Sequence, residues 1–122
     1  MLLPTALKGM VEARNALQQQ EGISNPSYIS ENIQKLAQYV GVLEEILAED
    51  EADLIKKESE KFKSYMESGK SANMASNLLK YDFTTERAEI VKLIRLCNSS
   101  WKIISVSQSR VKHLIAEANN QT

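Results

Sequence analysis

Three side chains near the end of the sequence have the residue types of a hydrolytic triad. Ser109, His113 and Glu117 stand at i, i+4 and i+8, so a helix would place them along one face. A nucleophilic serine also needs a strained turn and backbone donors that stabilise an oxyanion, and a regular helix supplies neither. His113 is the only histidine of the chain. We therefore interpret the three residues as surface hydrogen-bonding groups and expect that the protein is not an enzyme.

The single cysteine, Cys97, could act as a nucleophile if a base lay beside it. His113 follows 16 positions later, about 160° around a helix, so the two cannot pair within one chain. Cys97 also falls on an apolar line of its segment, where a thiol fills space as a small hydrophobic group. We predict a core role for it. A lone cysteine forms no internal disulfide, which fits a reducing cytoplasm.

No segment has the spacing of a metal or phosphate site. The run EEILAEDEAD contains six carboxylates without a nearby histidine. Zinc-type pairs of cysteine or histidine and calcium-loop spacings are absent from the sequence. The four glycines are scattered singly, so no glycine-rich phosphate loop forms. The sequence predicts no metal and no cofactor, and the acidic run is interpreted as a solvated face that could engage a basic partner.

A basic stretch with interleaved aromatic residues is the strongest candidate for a binding function. The segment IKKESEKFKSYMESGK contains five lysines together with Phe62 and Tyr65. Lysines neutralise phosphates and aromatic rings stack on exposed bases, a combination that favours sequence-tolerant binding of single strands. The alternative is a solvated helix whose lysines pair with Glu58 and Glu60 and whose Phe62 lies in the core. The predicted nucleic-acid-binding residues are Lys56, Lys57, Lys61, Lys63, Tyr65 and Lys70.

The remaining composition predicts an all-α protein of few, long helices. Hydrophobic residues make up 43% and charged residues 25% of the chain, which is compatible with a packed domain. Both prolines, Pro4 and Pro26, lie in the first quarter, so little forbids helix after them. We predict one helical domain with helical-hairpin or coiled-coil packing. Its predicted parts are an N-terminal helix over 1–20, a long helix over 26–68 and a C-terminal oligomerisation helix over 84–119.

Local signals predict where the helices end. Asn25 is a good N-cap residue for the long helix, and Gly69 is suited to end it in a left-handed conformation. Residues 71–83 are predicted to form a short helix or an ordered loop. Thr84 or Thr85 is expected to cap the last helix. Gly41 costs the long helix about 1 kcal/mol relative to alanine, which a close neighbour would explain.

The last helix carries a heptad line that is sustained over four repeats, a specific signal for helix-on-helix packing. A second apolar set lies off that line, at Leu93, Leu96, Ile103 and Leu114. Two apolar faces imply burial against a second partner, either the segment 2–17 or another subunit. Gln108 is the kind of buried polar residue that fixes register and oligomeric state. The predicted oligomerisation residues are Ile90, Ile94, Cys97, Trp101, Ile104, Gln108, Val111 and Ile115.

The formal charge of −1 hides an uneven distribution. Residues 1–53 have a net charge of −6, residues 54–80 of +3 and residues 81–122 of +2. This asymmetry favours either a polyanion-binding face or the pairing of opposite halves between subunits. No apolar run reaches the roughly 18 residues that span a bilayer, and the first ten residues do not resemble a secretory signal. We therefore expect a cytoplasmic protein without a membrane segment.

The C-terminal half, DFTTERAEIVKLIRLCNSSWKIISVSQSRVKHLIAE, resembles the last helix of the UvsY-type recombination mediators of T-even-like bacteriophages. Upstream, KFKSYMESGK is similar to the basic, tyrosine-containing stretch of that family, although Phe62-Lys63 replaces its Arg-Leu pair. The likeness covers about 60 of the 122 residues. The shared features are Asp82 and Thr84, a Leu96-Cys97-x-Ser99 step, Ile103 or Ile104, Ser109-Arg110, and Val111-Lys112-His113-Leu114-Ile115.

This resemblance implies a ring-forming helical protein that binds single-stranded DNA. Such a protein would help load a RecA-type recombinase onto strands coated by single-strand-binding protein, in the cytoplasm of an infected bacterium. Its C-terminal helices would form the core of a homo-oligomer. The alternative is a non-enzymatic helical interaction module of phage type, such as an inhibitor, a scaffold or a virion component. That module would have no nucleic-acid role and would grip a protein through the acidic run or the C-terminal heptad line.

Overall fold

The computed structural model describes residues 1–19 and 24–120, and these residues form four helices and no strand. The helices are α1 (Leu3–Gln18), α2 (Pro26–Glu67), α3 (Ala72–Asp82) and α4 (Thr84–Asn120). The all-α prediction is confirmed. The segment 71–83, for which a short helix and a loop were both open, contains the helix α3. Within the described ranges, no helix combines the length and apolar character needed to cross a bilayer.

The chain divides into two compact units, which are described separately. Unit 1 consists of Met1–Glu45 and Arg95–Thr122, and unit 2 is Ile46–Ile94. Helices α2 and α4 therefore each contribute residues to both units.

The core of unit 1 is built from one face each of α1, α2 and α4. Leu36, Val40 and Leu43 of α2 are completely buried, at the 4 and 3 spacing that faces a neighbouring helix. The sequence predicted a second apolar face of α4 that either the segment 2–17 or another subunit covers. In unit 1 the partner of this face is α1, which contains nearly all of that segment. Leu17 of α1 and Ile103 of α4 line the same groove. The buried residues of the three helices are Ala6, Gly9, Met10, Ala13, Ile29, Asn32, Leu36, Val40, Leu43, Cys97, Ser100, Ile104 and Ser107.

A glycine allows α1 and α2 to approach closely, but it is not the one that the sequence suggested. A Cβ atom added to Gly9 would lie 2.3 Å from Cζ of Tyr39. A Cβ atom added to Gly41 would meet nothing within 4 Å. Within the described residues no close neighbour therefore explains Gly41, and the close contact is made at Gly9, by the ring of Tyr39.

The buried line of α4 in unit 1 differs from the heptad line that the spacing predicted. Cys97 and Ile104 belong to both lines. The other buried residues are Ser100 and Ser107, where the predicted line has Trp101 and Gln108. Trp101 is 43% exposed, and Gln108 is also exposed within the chain. Because the two lines share Cys97 and Ile104, the centre of the buried arc is displaced by about 50° towards the second apolar set. Coverage of α4 by two neighbours explains this displacement, because each of them covers part of the apolar surface.

Side chains and backbone bonds close the helix ends largely where the sequence predicted. The amides of Ser27 and Tyr28 donate to Oδ1 of Asn25 at 3.1 and 3.3 Å, as expected for an N-cap. Gly69 has a φ of +92°. The amide of Lys70 donates to the carbonyl of Tyr65, and that of Gly69 to the carbonyl of Met66, both at 3.1 Å. This pair of bonds is the Schellman pattern.

Thr84 and Thr85 are the first two residues of α4, so neither caps the helix as predicted, and Thr84 bonds to α3 instead. Its hydroxyl donates backwards to the carbonyls of Lys80 and Tyr81, at 3.3 and 3.1 Å. The carbonyl of Phe83 accepts the first backbone bond of α4, from the amide of Arg87 at 3.0 Å. The break between α3 and α4 is one residue long, so the threonine hydroxyl is within reach of the open carbonyls of α3.

One arginine connects all three helical segments of unit 2. Arg87 of α4 donates through Nη1 to the carbonyl of Lys80 and through Nη2 to that of Leu79, at 3.1 and 2.9 Å. Its Nε donates to Oε1 of Glu58 in α2 at 3.1 Å. The guanidinium therefore satisfies carbonyls at the C-terminal end of α3 and holds this end against α2.

We expect Arg87→Ala to lower the free energy of unfolding by roughly 1 kcal/mol, because three charge-assisted hydrogen bonds are lost at a site that water partly screens. Urea denaturation followed by far-ultraviolet circular dichroism measures the change. Lys92→Ala is the matched control, since Lys92 is an exposed cation of the same helix and unit. Equal midpoints for the two variants would contradict the role assigned to Arg87.

Candidate nucleic-acid interface

The predicted binding lysines of α2 lie on two different sides of the helix. Lys61 precedes Tyr65 by one turn, about 40° from it around the helix axis, and Lys57 is about 80° away. Lys56 and Lys63 lie about 180° and 160° from Tyr65. The structure therefore brings Lys61 and Tyr65 together and places Lys56 and Lys63 on the opposite side of α2.

The ring of Tyr65 is the centre of a small cationic cluster. Nζ of Lys61 and Nζ of Lys70 lie 5.2 and 5.5 Å from its centroid, within the range of cation–π attraction. The turn at Gly69 brings Lys70 back towards the ring. The Tyr65 hydroxyl donates to Oδ2 of Asp82 at the end of α3. Tyr65, which the sequence offered as a base-stacking residue, is thus already engaged within the chain.

The electrostatics of Tyr65 keep its hydroxyl a hydrogen-bond donor. The hydrogen bond to Asp82 is the main cause that raises the pKa of Tyr65, and desolvation and the charge of that carboxylate act in the same direction. The phenol therefore stays protonated at neutral pH. Asp82 remains fixed between the end of α2 and the end of α3.

Within the part of the chain that the structure describes, the ammonium groups of the stretch have no ion-pair partner. Among the residues that the structure describes, no salt bridge involves any of the five lysines. Glu58, a partner in the alternative interpretation, is held by Arg87 instead. Glu60 forms no ion pair within the same ranges. Four of the lysines are exposed and Lys70 is half-buried. The intrahelical pairs of the alternative interpretation are therefore not formed among the described residues, whereas its Phe62 is half-buried.

Carboxylates border the cationic cluster on its N-terminal side. A cavity of about 170 Å³ between α2 and α4 of unit 2 is lined by Asp50, Asp53, Glu86 and Glu89, together with Leu54, Lys57 and Ile90. No group of three or more potential ligands in the described residues is arranged to hold a metal ion. These carboxylates repel phosphate, so a polyanion is favoured only towards the end of unit 2 that carries Lys61 and Lys70.

The most exposed aromatic residue of unit 2 lies outside the predicted set. Tyr81 on α3 is 80% exposed. Met74, two helical turns earlier on the same face, is 53% exposed. The predicted binding residues all lie in the lysine stretch, and residues 71–83 were predicted only as a short helix or an ordered loop. The spacing of Met74, Leu78 and Tyr81 by four and three residues marks one helical face but does not indicate that this face is exposed.

The residues considered as catalytic candidates lie in unit 1. They do not form a catalytic arrangement in the described part of the chain. Nε2 of His113 lies 3.0 Å from Oε1 of Glu117 on an exposed face. No hydrogen bond joins Ser109 to His113 in the described part of the chain. Cys97 is 3% exposed, and burial, with a contribution from the charge of Glu44, raises the pKa of its thiol. Its predicted core position is confirmed.

The predicted oligomerisation residues differ in their exposure within a single chain. The indole N–H of Trp101 donates to Oε1 of Glu44, and the ring stays partly exposed. Gln108 and Val111 line a groove of about 460 Å³ with Ser30, Ile33, Gln34 and Lys112 in unit 1. Of the full set, Cys97 and Ile104 are buried, Ile90, Ile94 and Val111 are half-buried, and Trp101, Gln108 and Ile115 are exposed.

In comparisons with known proteins, no protein family, no curated protein and no solved structure matches the chain.

Proposed function

We propose that this chain is a recombination mediator that binds single-stranded DNA and helps load a RecA-type recombinase onto strands coated by single-strand-binding protein. The observation that carries the proposal is the group of five lysines over residues 56–70, four of them exposed, which have no ion-pair partner in the described residues. The sequence resemblance to the UvsY-type mediators supports the more specific role. The protein acts without chemistry of its own, in the cytoplasm of an infected bacterium.

Phosphate contact follows from the charge of the cluster. Each lysine that neutralises a phosphate releases condensed counterions, so the binding free energy depends on salt. The cluster of a single chain offers few such contacts. A homo-oligomeric ring repeats it, and linked contacts multiply the effective affinity.

Part of the α4 heptad line supports assembly with further copies. Trp101, Gln108 and Ile115 are separated by seven residues and remain exposed in the single chain. Such a line presents one side of the helix to a neighbour. In the proposed ring this side of α4 contacts the next subunit.

We expect the purified protein to have the mass of a multi-subunit assembly and to bind oligo-dT with an affinity that falls steeply as salt rises. Sedimentation and fluorescence anisotropy at several salt concentrations measure the two properties. A fluorescent oligo-dT that stays unbound even at low salt would refute the DNA-binding role. A monomer at high concentration would refute the ring.

A helical protein-interaction module is the second candidate, and the acidic cavity favours it. Asp50, Asp53, Glu86 and Glu89 form a negative surface in unit 2 that suits a basic protein rather than DNA. This candidate predicts no DNA binding at any salt concentration. It also predicts that charge-neutralising substitutions of Asp50 and Asp53 abolish binding to the partner protein.

A further inference from the structure

We propose that the outer face of α3 is a surface on which unpaired nucleobases stack, with Tyr81 as the stacking ring. This inference rests on the proposed binding of single-stranded DNA and specifies where the bases are held. It assigns the stacking role to α3 rather than to the tyrosine of the lysine stretch.

The exposed side chains of α3 form one continuous face. Met74 lies about 20° from Tyr81 around the helix axis, and Asn77 about 40° from it on the other side. Asn73 and Lys80 extend the face beyond Asn77, and all of these residues are exposed. An aromatic ring, a thioether and two amides provide stacking and hydrogen-bonding groups together.

The side chain of Tyr81 is open to solvent, whereas that of Tyr65 is engaged by neighbouring residues. The ring is 80% exposed, and its hydroxyl makes no hydrogen bond among the residues that the structure describes. Tyr65, in contrast, contacts two ammonium groups and donates to Asp82. A base can stack on an open aromatic face without displacing a neighbour, so Tyr81 is the ring of unit 2 that is ready for stacking.

The cationic cluster lies at the end of α3 that carries Tyr81. Asp82, the next residue, accepts the hydrogen bond from Tyr65, and the ammonium groups of Lys61 and Lys70 lie within 5.5 Å of the Tyr65 centroid. Lys80 precedes Tyr81 and is exposed. A strand whose base stacks on Tyr81 thus has lysines close by for its phosphates.

The negative end of the α3 dipole does not oppose this arrangement. The guanidinium of Arg87 binds the carbonyls of Leu79 and Lys80 and brings a positive charge to that end. Two carboxylates lie at this end, and both are engaged within the chain: Asp82 accepts from the Tyr65 hydroxyl and Glu58 accepts from Nε of Arg87. Residues 72–81 contain no acidic residue.

These charges favour nucleic acid over protein as the occupant. A protein-docking stripe of Met74 and Tyr81 would need a partner with an apolar face. The face instead mixes one ring with amides and lies beside lysines that have no ion-pair partner in the described ranges. Unpaired cations complement phosphates, and bases supply the flat surface that a tyrosine ring takes.

The experiment compares oligo-dT of about 20 nucleotides with an abasic strand of equal length, which keeps the phosphates and lacks the bases. Binding of the full-length protein to both probes is measured by fluorescence anisotropy at one low salt concentration. The variants are Tyr81→Ser, the conservative Tyr81→Trp, and Ile55→Ser as a matched control. Ile55 is also an exposed apolar residue of unit 2, at 66% exposure.

We expect the unmodified protein to prefer oligo-dT over the abasic strand by roughly 5- to 150-fold, the range that one stacked base provides. Tyr81→Ser should lose most of this preference while it binds the abasic strand as before. Tyr81→Trp and Ile55→Ser should keep the preference.

Two results would overturn the inference in different ways. Equal affinity of the unmodified protein for both probes, or a preference that survives Tyr81→Ser, leaves DNA binding in place and excludes stacking on α3. The face would then be a docking surface for protein. Failure to bind either probe at low salt refutes the proposed function and the inference with it.

Discussion

Replacing Lys61 and Lys70 together by alanine should weaken binding to oligo-dT by up to roughly 60-fold at 50 mM salt and roughly tenfold at 200 mM. The two ammonium groups flank one tyrosine ring and form no ion pair in the described part of the chain. Each phosphate contact on a single strand adds about 0.7 to the slope of log affinity against log salt, so the slope should fall by about 1.4. Fluorescence anisotropy across a salt series measures both quantities.

The double substitution Lys56→Ala and Lys63→Ala is the matched control. It removes the same charge from the same helix, but Lys56 and Lys63 lie on the side of α2 opposite to Tyr65. Long-range attraction decreases for both variants alike, whereas direct phosphate contact is lost only around Tyr65. We therefore expect the control to have less than half the effect of the Lys61 and Lys70 pair on the slope.

Equal slopes for the two pairs would show that only net charge matters and that the cluster around Tyr65 is not a binding site. Neither pair should change the oligomeric mass, because the proposed subunit contacts lie on α4. Circular dichroism of both variants tests whether their helices are intact. A mass that changes together with affinity would assign the lysines to assembly instead.

The helices could be predicted from the sequence because their signals are local. Asn25 and Gly69 act through hydrogen bonds to residues within five positions, and such bonds depend on few neighbours. The buried line of α4 could not be predicted in the same way. The spacing identifies an apolar line, but the side that becomes buried depends on where α1 and α2 pack, which is a non-local outcome. Ser100 and Ser107 are buried for this reason, although neither is apolar.

The candidate site was predictable in composition and not in geometry. The lysine stretch is visible in the sequence, and its helical spacing separates Lys56 from Lys61. The contact of Lys70 with Tyr65 depends on the turn at Gly69, and the loss of Glu58 as a lysine partner depends on Arg87, which is 29 positions away. Exposure of Tyr81 likewise follows from how α3 packs through Ala75. No pattern within α3 alone gives that orientation.

The same substitution should have opposite effects on stability at two glycines of unit 1. Gly41→Ala should raise the free energy of unfolding by up to about 1 kcal/mol, because alanine favours helix and the added methyl group meets no atom within 4 Å. Gly9→Ala gains the same helix propensity, but its methyl group overlaps the ring of Tyr39. Overpacking of this kind costs about 1–3 kcal/mol, so we expect a net loss of up to about 2 kcal/mol. Urea denaturation of both variants measures the two changes.

Two further variants, Tyr39→Ala alone and Tyr39→Ala combined with Gly9→Ala, identify the cause of the stability loss at Gly9. In the Tyr39→Ala background the ring is absent, so Gly9→Ala should become stabilising, as it is at Gly41. A Gly9→Ala variant that is destabilised equally with and without the Tyr39 ring would mean that another atom limits the approach of α1. The sign of the interaction between positions 9 and 39 therefore tests the packing of α1 on α2 directly. That packing is also what leaves α1 in place to cover the second apolar face of α4.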